Sequence, residues 1–396
     1  MKLYNIKGII IDSVSICDTE IVIKGRNPRR SATCPYCGQR TSRLHQRKNR
    51  RVIHDQHNDR AVILELTIRR FLCSLCQRPF TERNIPGITA SRFSEYFKEQ
   101  VIQKTKTASF DEVSRHFRVS PPTVVEFLRQ RSRRIPWPEG PLRLGIDGHS
   151  FSGRKMKTTI GDIGNRQLLA VLSDGGKQSL LKYLNSLSEV QKRQIFEVCI
   201  DMDQGYLAAI TEALPEAKVV IDHFHVIKEL LRKMDEIRKI LQSQAKPGNR
   251  RIDRFLLLKN KENLNQAERK ELERVFQKYE KFPTLKLTWW VKEAIREMYA
   301  CPDIKTAERK FEQILWQLED YEVGVPAEIY RMLRRWGPYM LNYFHHRTTN
   351  AFAEGCNNKI KVTKRISYGF RNFENYVLKI TLALAPFVFL GGSLPH

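Results

Sequence analysis

Three aspartates stand at the ends of apolar runs that are typical of β-strands. Asp147 ends "LGID", Asp201 ends "VCID" and Asp222 ends "VVID". A carboxylate at the end of a parallel strand lies at the edge where open α/β sheets bind ligands. Carboxylate oxygens suit Mg²⁺ or Mn²⁺, and two such ions would activate an attacking oxygen and stabilise a leaving oxygen on phosphorus. The pattern therefore indicates metal-dependent phosphoryl transfer, although an aspartate after a strand is also common turn chemistry.

The segment "VVIDHFHVIK", residues 219–228, adds two histidines to one of these acids. Asp222, His223 and His225 fall within four positions. A carboxylate and imidazoles so close together are suited to metal binding or acid–base catalysis. From the residues alone, this segment is either a reactive centre or a support for one elsewhere.

Four cysteines near the start have the spacing of a metal site. Cys34 and Cys37 form one CxxC pair, and Cys73 and Cys76 form another. Two such knuckles place four thiolates around one tetrahedral Zn²⁺. Because no secretory signal precedes them, metal binding is favoured over disulfides. The residues between the pairs read as strands, so we predict a structural zinc ribbon, with a redox CxxC as the weaker alternative.

Five strand patterns after residue 142 must position the acids. They are "LRLGIDG", "KMKTTIGDI", "RQLLAVLSD", "FEVCIDMD" and "AKVVIDHFH". The turn signal Gly164–Asn165 joins the second and third as a hairpin, whereas helical patterns at 178–194 and 206–214 separate the last three and require parallel crossovers. Three hairpin-like strands followed by two crossover strands predict an α/β, RNase H-like mixed five-stranded sheet.

A helix–turn–helix pattern precedes this sheet. The stretch "ASFDEVSRHFRVSPPTVVEFLRQRSRR" gives a helix, a short turn and a second helix, and Ser120 is a credible cap for the second. The second helix would enter a DNA major groove, although any two-helix hairpin gives a similar pattern. The predicted DNA contacts from this helix and its tail are Thr123, Arg129, Arg131, Arg133 and Arg134.

Charge points to a polyanionic partner. The chain has 69 Lys and Arg against 43 Asp and Glu, a net charge of +26, and residues 1–140 carry +14 of it. Nucleic acid is the first candidate, because neutralising phosphates releases counterions. The basic run at 43–51 is predicted to meet phosphates, or else to be a solvated loop. Its candidate residues are Arg43, Arg47, Lys48, Arg50 and Arg51.

A helix pattern near the C-terminus carries another acid. Helical spacing from Asn350 puts Glu354, Asn358 and Lys361 on one face, with Lys364 and Arg365 close by. An acid beside amides and cations would suit metal and phosphate contacts. A solvated amphipathic helix gives the same pattern.

Taken in order, these motifs resemble one protein family. The two CxxC pairs, the helix-turn-helix, "GID", "CIDM", "VVIDHFHVIK" and "TNAFAEGCNNKIKVTKRISYGF" resemble the ISL-three family of bacterial insertion-sequence transposases. The resemblance covers essentially the whole chain, and "EGCNNKIK" and "IDHFHVIK" are its most specific parts. Such proteins look like DDE transposases, whose RNase H-like core carries a helical insertion before the last acid. The resemblance implies that Asp147, Asp201 and Glu354 are catalytic and bind Mg²⁺ or Mn²⁺.

The resemblance also assigns supporting residues and partners. Related transposases carry a Cys/Asp-x-x-His motif after the second acid, which Asp222 and His225 match, so these two become supports together with Asn358 and Lys361. The implied reaction is cleavage at the element end by water, followed by attack of the freed 3′-OH on target DNA. The implied partners are double-stranded DNA and a second copy of the chain, in a homodimer or larger synaptic complex.

The predicted domains follow the motifs. They are a zinc ribbon at 1–85, a helix-turn-helix at 90–135, a first part of the core at 140–225, a helical insertion at 226–342 and a last part of the core at 343–396. With no signal peptide and no apolar run long enough to span a membrane, we expect a cytoplasmic, nucleoid-associated protein. Two other functions stay open: a DNA-binding regulator with a non-catalytic core, and a structure-specific nuclease without strand transfer.

Overall fold

The chain divides into two units, and the chain passes from one to the other within the helix Ala351–Ile366. The computed structural model describes residues 6, 8–57, 59–82, 87–88, 91–132, 137–152, 155–244 and 252–384. Unit 1 consists of Met1–Ile135 and Lys361–Ala383, and unit 2 of Pro136–Ile360 and Leu384–His396.

Unit 1 begins with seven strands. They are β1 Ile10–Ile16, β2 Glu20–Arg26, β3 Ala32–Thr33, β4 Arg40–Thr41, β5 Leu44–His57, β6 Arg60–Leu72 and β7 Pro79–Thr81. One sheet has the order β1-β2-β6-β5, with β7 added on β6, and β3 and β4 form a separate hairpin. The basic run at 43–51, for which a solvated loop was the alternative, lies almost entirely in β5, because its backbone pairs with β6 in antiparallel register.

Three helices follow in unit 1, and a helix from the end of the chain joins them. They are α1 Glu95–Thr105, α2 Phe110–Phe117 and α3 Pro121–Ser132. Ser94 and Ser109 cap α1 and α2 by accepting hydrogen bonds from backbone amides. Between α2 and α3, Arg118 adopts the left-handed conformation with φ 52°, which ends α2 abruptly and allows the chain to turn.

The core of this helical part contains residues from both ends of the sequence. Phe97, Val113 and Val124 from α1, α2 and α3 pack in one cluster with Leu378 and Leu382. Those two leucines belong to the last helix of the chain, Phe373–Leu384, which we label α15 below. The three N-terminal helices therefore share their core with a segment about 250 residues away in sequence.

Unit 2 contains the second five-stranded sheet. Its strands are β8 Leu142–Ser152, β9 Lys155–Asp162, β10 Gln167–Leu172, β11 Ile195–Ile200 and β12 Lys218–Ile221. Their order is β10-β9-β8-β11-β12. The pairs β8–β9 and β9–β10 are antiparallel, and β8–β11 and β11–β12 are parallel. The hairpin predicted at Gly164–Asn165 and the two parallel crossovers are both confirmed.

Helices make up the rest of unit 2 and close the chain. They are α4 Lys177–Asn185, α5 Glu189–Gln194, α6 Gln204–Ala213, α7 His223–Ser243, α8 Arg254–Leu258, α9 Gln266–Lys278, α10 Thr284–Tyr299, α11 Ile304–Glu319, α12 Gly324–Leu341, α13 Tyr343–His346, α14 Ala351–Ile366 and α15 Phe373–Leu384. The pattern at 178–194 forms two helices, because Ser188 starts α5 with a capping box.

One apolar core continues from the sheet into the helical region. Every fourth or third residue of α7 is buried, from Val226 through Leu230 and Met234 to Leu241, and this stripe joins the same cluster as the strands. The helical region is thus held by the sheet through shared packing. Among the described residues, no helix combines the length and the apolar character that crossing a membrane requires.

Candidate metal centres

The two CxxC pairs converge at one point in unit 1. The Sγ atoms of Cys34 and Cys76 are 3.7 Å apart, and those of Cys37 and Cys73 are 3.5 Å apart. Four sulfurs at 2.3 Å from one Zn²⁺ in a tetrahedron would be about 3.8 Å apart, so these spacings fit zinc. Backbone amides, first that of Cys76, lower the pKa of Cys73 to about 6, and this favours the thiolate that a metal needs.

Tight turns shape both knuckles. The amide of Cys34 donates to the Gln39 carbonyl, and Gly38 donates back to the Cys34 carbonyl. Gly38 has φ +75°, which glycine adopts without strain, and Gln77 holds a similar angle of 53° after the second pair. The sequence thus places each cysteine pair in a loop that points its sulfurs inward.

Two of the strand-end acids meet in unit 2 together with a histidine. Asp147 lies in β8, Asp201 directly follows β11, and His225 lies in the first turn of α7. One ligand atom from each lies within 4.8 Å of the other two. The prediction that Asp147 ends its strand is wrong, because β8 continues to Ser152 and Asp147 pairs with Thr159 of β9. The parallel neighbour β11 ends at Ile200, so Asp201 still comes close to Asp147. Two carboxylate oxygens and an imidazole nitrogen could together hold a divalent ion.

Burial and like charge shape the electrostatics of this group. Asp147 is only 9 % exposed. The pKa of Asp201 is raised to about 6, first by burial and then by the charges of Asp147 and Asp203, against the opposing effect of His225. One oxygen of Asp201, Oδ1, is buried and accepts no hydrogen bond in the described part of the chain. A cation between the acids would satisfy that oxygen and relieve the repulsion.

Asp222 stands behind His225. It caps α7, with Oδ1 3.4 Å from the backbone amide of Phe224. Its other oxygen lies 3.4 Å from Nδ1 of His225, and the carboxylate raises the pKa of His225, with smaller contributions from Asp201 and Asp147. Nδ1 of His223 also lies 3.5 Å from Asp222, and the ring of His223 lies near those of Tyr299 and Tyr343. Of the acids and histidines in "VVIDHFHVIK", only His225 joins the two strand-end acids.

Helix α14 reaches the acids through an asparagine. The side-chain amide of Asn357 donates to Oδ2 of Asp147 at 2.7 Å, and its carbonyl accepts from the hydroxyl of Thr159 at 2.7 Å. Because the only hydroxyl proton of Thr159 is used there, Nδ1 of His149, 2.9 Å away, must be the donor to Thr159. Asn357 therefore holds Asp147 at the end of a buried chain of hydrogen bonds. Glu354, one turn earlier, is exposed and is not part of the group of three.

Close packing fixes the beginning of α14 on the sheet. The side chain of Asn350 donates to the carbonyl of Ile146, the residue before Asp147, at 2.9 Å. A Cβ on Gly145 would lie 2.4 Å from Asn350 Oδ1, and one on Gly161 would lie 2.7 Å from the ring of Phe352. These glycines let the helix approach the strands more closely than any other residue would permit.

A buried glutamate fixes the segment that leads into α14. Glu197 on β11 is fully buried and accepts a hydrogen bond from the hydroxyl of Thr348. Nδ1 of His346 lies 2.7 Å from the same carboxylate. A buried carboxylate with two partners resists displacement, so the residues before Asn350 have a defined path.

The other residues predicted on α14 are exposed or half-buried. Asn358, Lys361 and Arg365 are exposed, and Lys364 is half-buried, with its pKa lowered by burial. Asn357, Asn350, Thr159 and His149 were not predicted as site residues. The seven-residue spacing of Asn350 and Asn357 was an available signal, because it places both on one helix face.

The basic residues of β5 divide into exposed and paired ones. Arg43, Arg47 and Lys48 are exposed and make no ion pair within the described part of the chain. Arg50 donates to the carbonyl of Ser91, and Arg51 pairs with Glu20. The exposed three present positive charge to solvent.

The predicted contacts on α3 are partly engaged within unit 1. Arg129 makes two hydrogen bonds of 3.0 Å to Glu374 of α15, and Arg131 lies 3.7 Å from Glu99. Thr123 is half-buried with its hydroxyl 2.9 Å from that of Ser120. Arg133 and Arg134 lie outside the described residues.

Two family models match this arrangement of sheet, acids and cysteines. A model for ISL3-type DDE domains, described as a transposase, matches residues 144–380. A second, described as a zinc-finger of transposases IS204, IS1001, IS1096 and IS1165, matches residues 30–76. The class is therefore a DDE transposase domain preceded by a zinc ribbon. The chain belongs to the ISL3 family of insertion-sequence transposases, which confirms the resemblance seen in the sequence.

Curated relatives carry similar names. The chain is 25% identical over 361 residues to the transposase for insertion sequence element IS1001 from Bordetella parapertussis, covering 88% of each chain. It is 23% identical over 270 residues to the transposase for insertion sequence element IS1557 from Mycobacterium tuberculosis, covering 61% of this chain and 60% of the relative.

Proposed function

We propose that this protein binds the ends of an insertion sequence and performs DNA cleavage and strand transfer that depend on Mg²⁺ or Mn²⁺. One observation carries the proposal: Asp147 and Asp201 come together where β11 ends beside its parallel neighbour β8 in a domain of the DDE transposase family. Divalent ions held there would supply an activated attacking oxygen and stabilise the leaving one.

The site residues have distinct proposed roles. Asp147 and Asp201 are the metal ligands for which the geometry gives most support, because their oxygens are close and one of them lacks a partner. Asn357 orients Asp147, and Asp222 orients His225. Glu354, exposed one turn before Asn357 on the same helix, is proposed as the third acid, where it is accessible to a metal that arrives with DNA. Asn358 and Lys361 are proposed to contact the DNA backbone nearby.

The fold supports the same proposal. The strand order of the second sheet is β10-β9-β8-β11-β12. Its first three strands are antiparallel and the last two are parallel to β8, which is the order expected of an RNase H-like core. Helices α2 and α3, joined by a short turn at Arg118, are proposed as a helix-turn-helix with α3 in the major groove. The four cysteines are proposed to hold structural Zn²⁺.

DNA contact is proposed for the exposed basic residues of unit 1 and the end of α14. Arg43, Arg47 and Lys48 are exposed cations suited to phosphates, and Lys364 and Arg365 would add to them. Arg129 would have to exchange its contact with Glu374 for a phosphate. Because two element ends must be joined, a dimer or larger synaptic complex at the nucleoid is proposed.

The test compares wild-type protein with Asp147→Asn on DNA carrying the element end, in Mg²⁺ or Mn²⁺. We expect wild type to cut the end and to join a pre-cut end to a target duplex, and the variant to bind DNA nearly as well but to do neither. Wild-type cleavage by the Asn variant would refute the proposed role of Asp147. Cutting without joining would favour a nuclease, and binding alone a DNA-binding regulator.

A further inference from the structure

We propose that His225 is itself a metal ligand, so that Asp147, Asp201 and His225 form a mixed carboxylate–imidazole site for one divalent transition-metal ion. This inference rests on the proposed function and refines the same site. Its basis is that three side chains from three different elements bring one ligand atom each to within 4.8 Å of the others. Such convergence is what a metal site requires of a fold.

The two acids leave a position that a cation would occupy. Asp147 is nearly buried, and its Oδ2 is already held by Asn357. Oδ1 of Asp201 is buried and accepts no hydrogen bond among the described residues. Two neighbouring carboxylates with an unsatisfied oxygen are costly without a positive partner, and the imidazole of His225 is the third group at the same point.

Asp222 provides an independent observation. Its Oδ2 lies 3.4 Å from Nδ1 of His225, while its Oδ1 caps α7, so the carboxylate is fixed by the helix that carries the histidine. Metal-binding histidines usually donate their second ring nitrogen to a carboxylate, which sets the tautomer and strengthens the ligand. Asp222 is the carboxylate placed for this role, and at 3.4 Å it acts on the ring by its charge, since Nδ1 of His225 has no hydrogen-bond partner among the described residues.

The ligand set has a consequence for the choice of metal. Mg²⁺ prefers oxygen ligands and near-ideal octahedral geometry, whereas imidazole nitrogen suits transition ions. A site of two carboxylates and one imidazole should therefore bind Mn²⁺ more tightly than Mg²⁺. His223 does not share this property, because it is not among the three groups whose ligand atoms meet, although its Nδ1 also lies 3.5 Å from Asp222.

A different role for His225 would look similar in a static structure. A protonated His225 could neutralise Asp147 and Asp201 without any metal, as an internal counter-ion. The two roles differ in one measurable respect: only a ligand places a nitrogen nucleus in direct contact with the metal. The experiment is designed around that difference.

The test uses the full-length protein with its cysteine site loaded with zinc, and Mn²⁺ alone as the probe. Pulsed electron paramagnetic resonance of bound Mn²⁺ should show coupling to an imidazole ¹⁴N in wild type and in the control His223→Gln. His225→Gln should lose the coupling and bind Mn²⁺ about 10–100-fold more weakly. Asp147→Asn, which removes a different ligand of the same ion, should lose it too. That second variant keeps the test decisive should His225→Gln fail to fold.

Two results would overturn the inference and can be told apart. Bound Mn²⁺ without ¹⁴N coupling, or coupling that survives in His225→Gln, would make His225 a counter-ion and leave the proposed metal chemistry standing. Absence of any Mn²⁺ binding that depends on Asp147 would overturn the inference together with the metal site of the proposed function.

Discussion

Replacing Asn357 by leucine should weaken the site without removing any proposed metal ligand. Leucine has a similar size and branching, so the helix packing is largely kept. The change removes the amide that donates to Asp147 Oδ2 at 2.7 Å and the carbonyl that accepts from Thr159 at 2.7 Å. Asp147 would then lose its fixed orientation, and the hydroxyl of Thr159 would lose its acceptor.

The size of the effect follows from the two lost contacts. A hydrogen bond to a charged group contributes about 1.5–3 kcal/mol, and a buried donor left without an acceptor costs about 1–3 kcal/mol. Because both belong to one chain of hydrogen bonds, they do not simply add. We expect Asn357→Leu to lower the free energy of unfolding by about 2–4 kcal/mol and to weaken Mn²⁺ binding about 10–100-fold.

The assay can be confined to the unit that carries Asn357. All five tryptophans lie in the span 136–360, so tryptophan fluorescence during urea unfolding reports on unit 2, and an Mn²⁺ titration reports on the site. Asn358→Leu is the matched control, because Asn358 is the next residue on the same helix and is exposed; it should change neither quantity. Equal behaviour of the two variants would show that Asn357 does not hold Asp147 and would refute the reasoning.

Three further predictions concern packing, pH and zinc. Gly161→Ala should lower the free energy of unfolding of unit 2 by about 1–3 kcal/mol, because the added Cβ would lie 2.7 Å from a phenylalanine ring of α14. The control is Gly148→Ala, where the nearest atoms are 3.6 Å from the added Cβ. It should be close to neutral in the same urea assay. Burial lowers the pKa of Lys379 to about 8 from 10.5, so between these pH values the unfolded chain binds a proton that the folded chain has lost. The free energy of unfolding of unit 1 should therefore rise between pH 8 and 10.5, by up to about 3 kcal/mol. Hydrogen exchange in α1–α3 would measure that rise, and a rise of equal size in Lys379→Met would contradict the assignment. Cys73→Ser should lose the bound zinc seen by metal analysis, since the four thiols meet at one point, while Cys17→Ser, at an exposed cysteine, should retain it.

The sheet and the meeting of two acids could be predicted because they depend on local patterns. Asp147 and Asp201 each follow an apolar run, and the crossover helices require β8, β11 and β12 to be parallel. The parallel register pairs Gly145 with Cys199, two residues before each acid, so the acids come close although β8 itself continues to Ser152. The cysteine spacing was equally local, since each CxxC pair needs only a tight turn.

The residues around the acids depend on long-range packing and were harder to predict. Sequence spacing favoured Asn358, whereas Asn357 contacts Asp147. Neighbouring helix positions differ by about 100°, and which of them faces the sheet is decided by how closely Gly145 and Gly161 let α14 approach. His225 was predicted only as a support for the strand end. Its closeness to Asp147 and Asp201 could not be predicted, because that distance depends on where α7 begins relative to two strands.

The shared core of unit 1 has a consequence for the order in which the protein is made. Leu378 and Leu382 complete the packing of α1–α3, and Lys379 donates to the carbonyl of Ala108 from the same late helix. A ribosome delivers α15 only after every strand and helix of unit 2 has been translated. The three N-terminal helices must therefore wait, with part of their apolar surface uncovered, until synthesis is nearly finished. A message cut short before Phe373 would yield a chain that lacks the two leucines that complete this core.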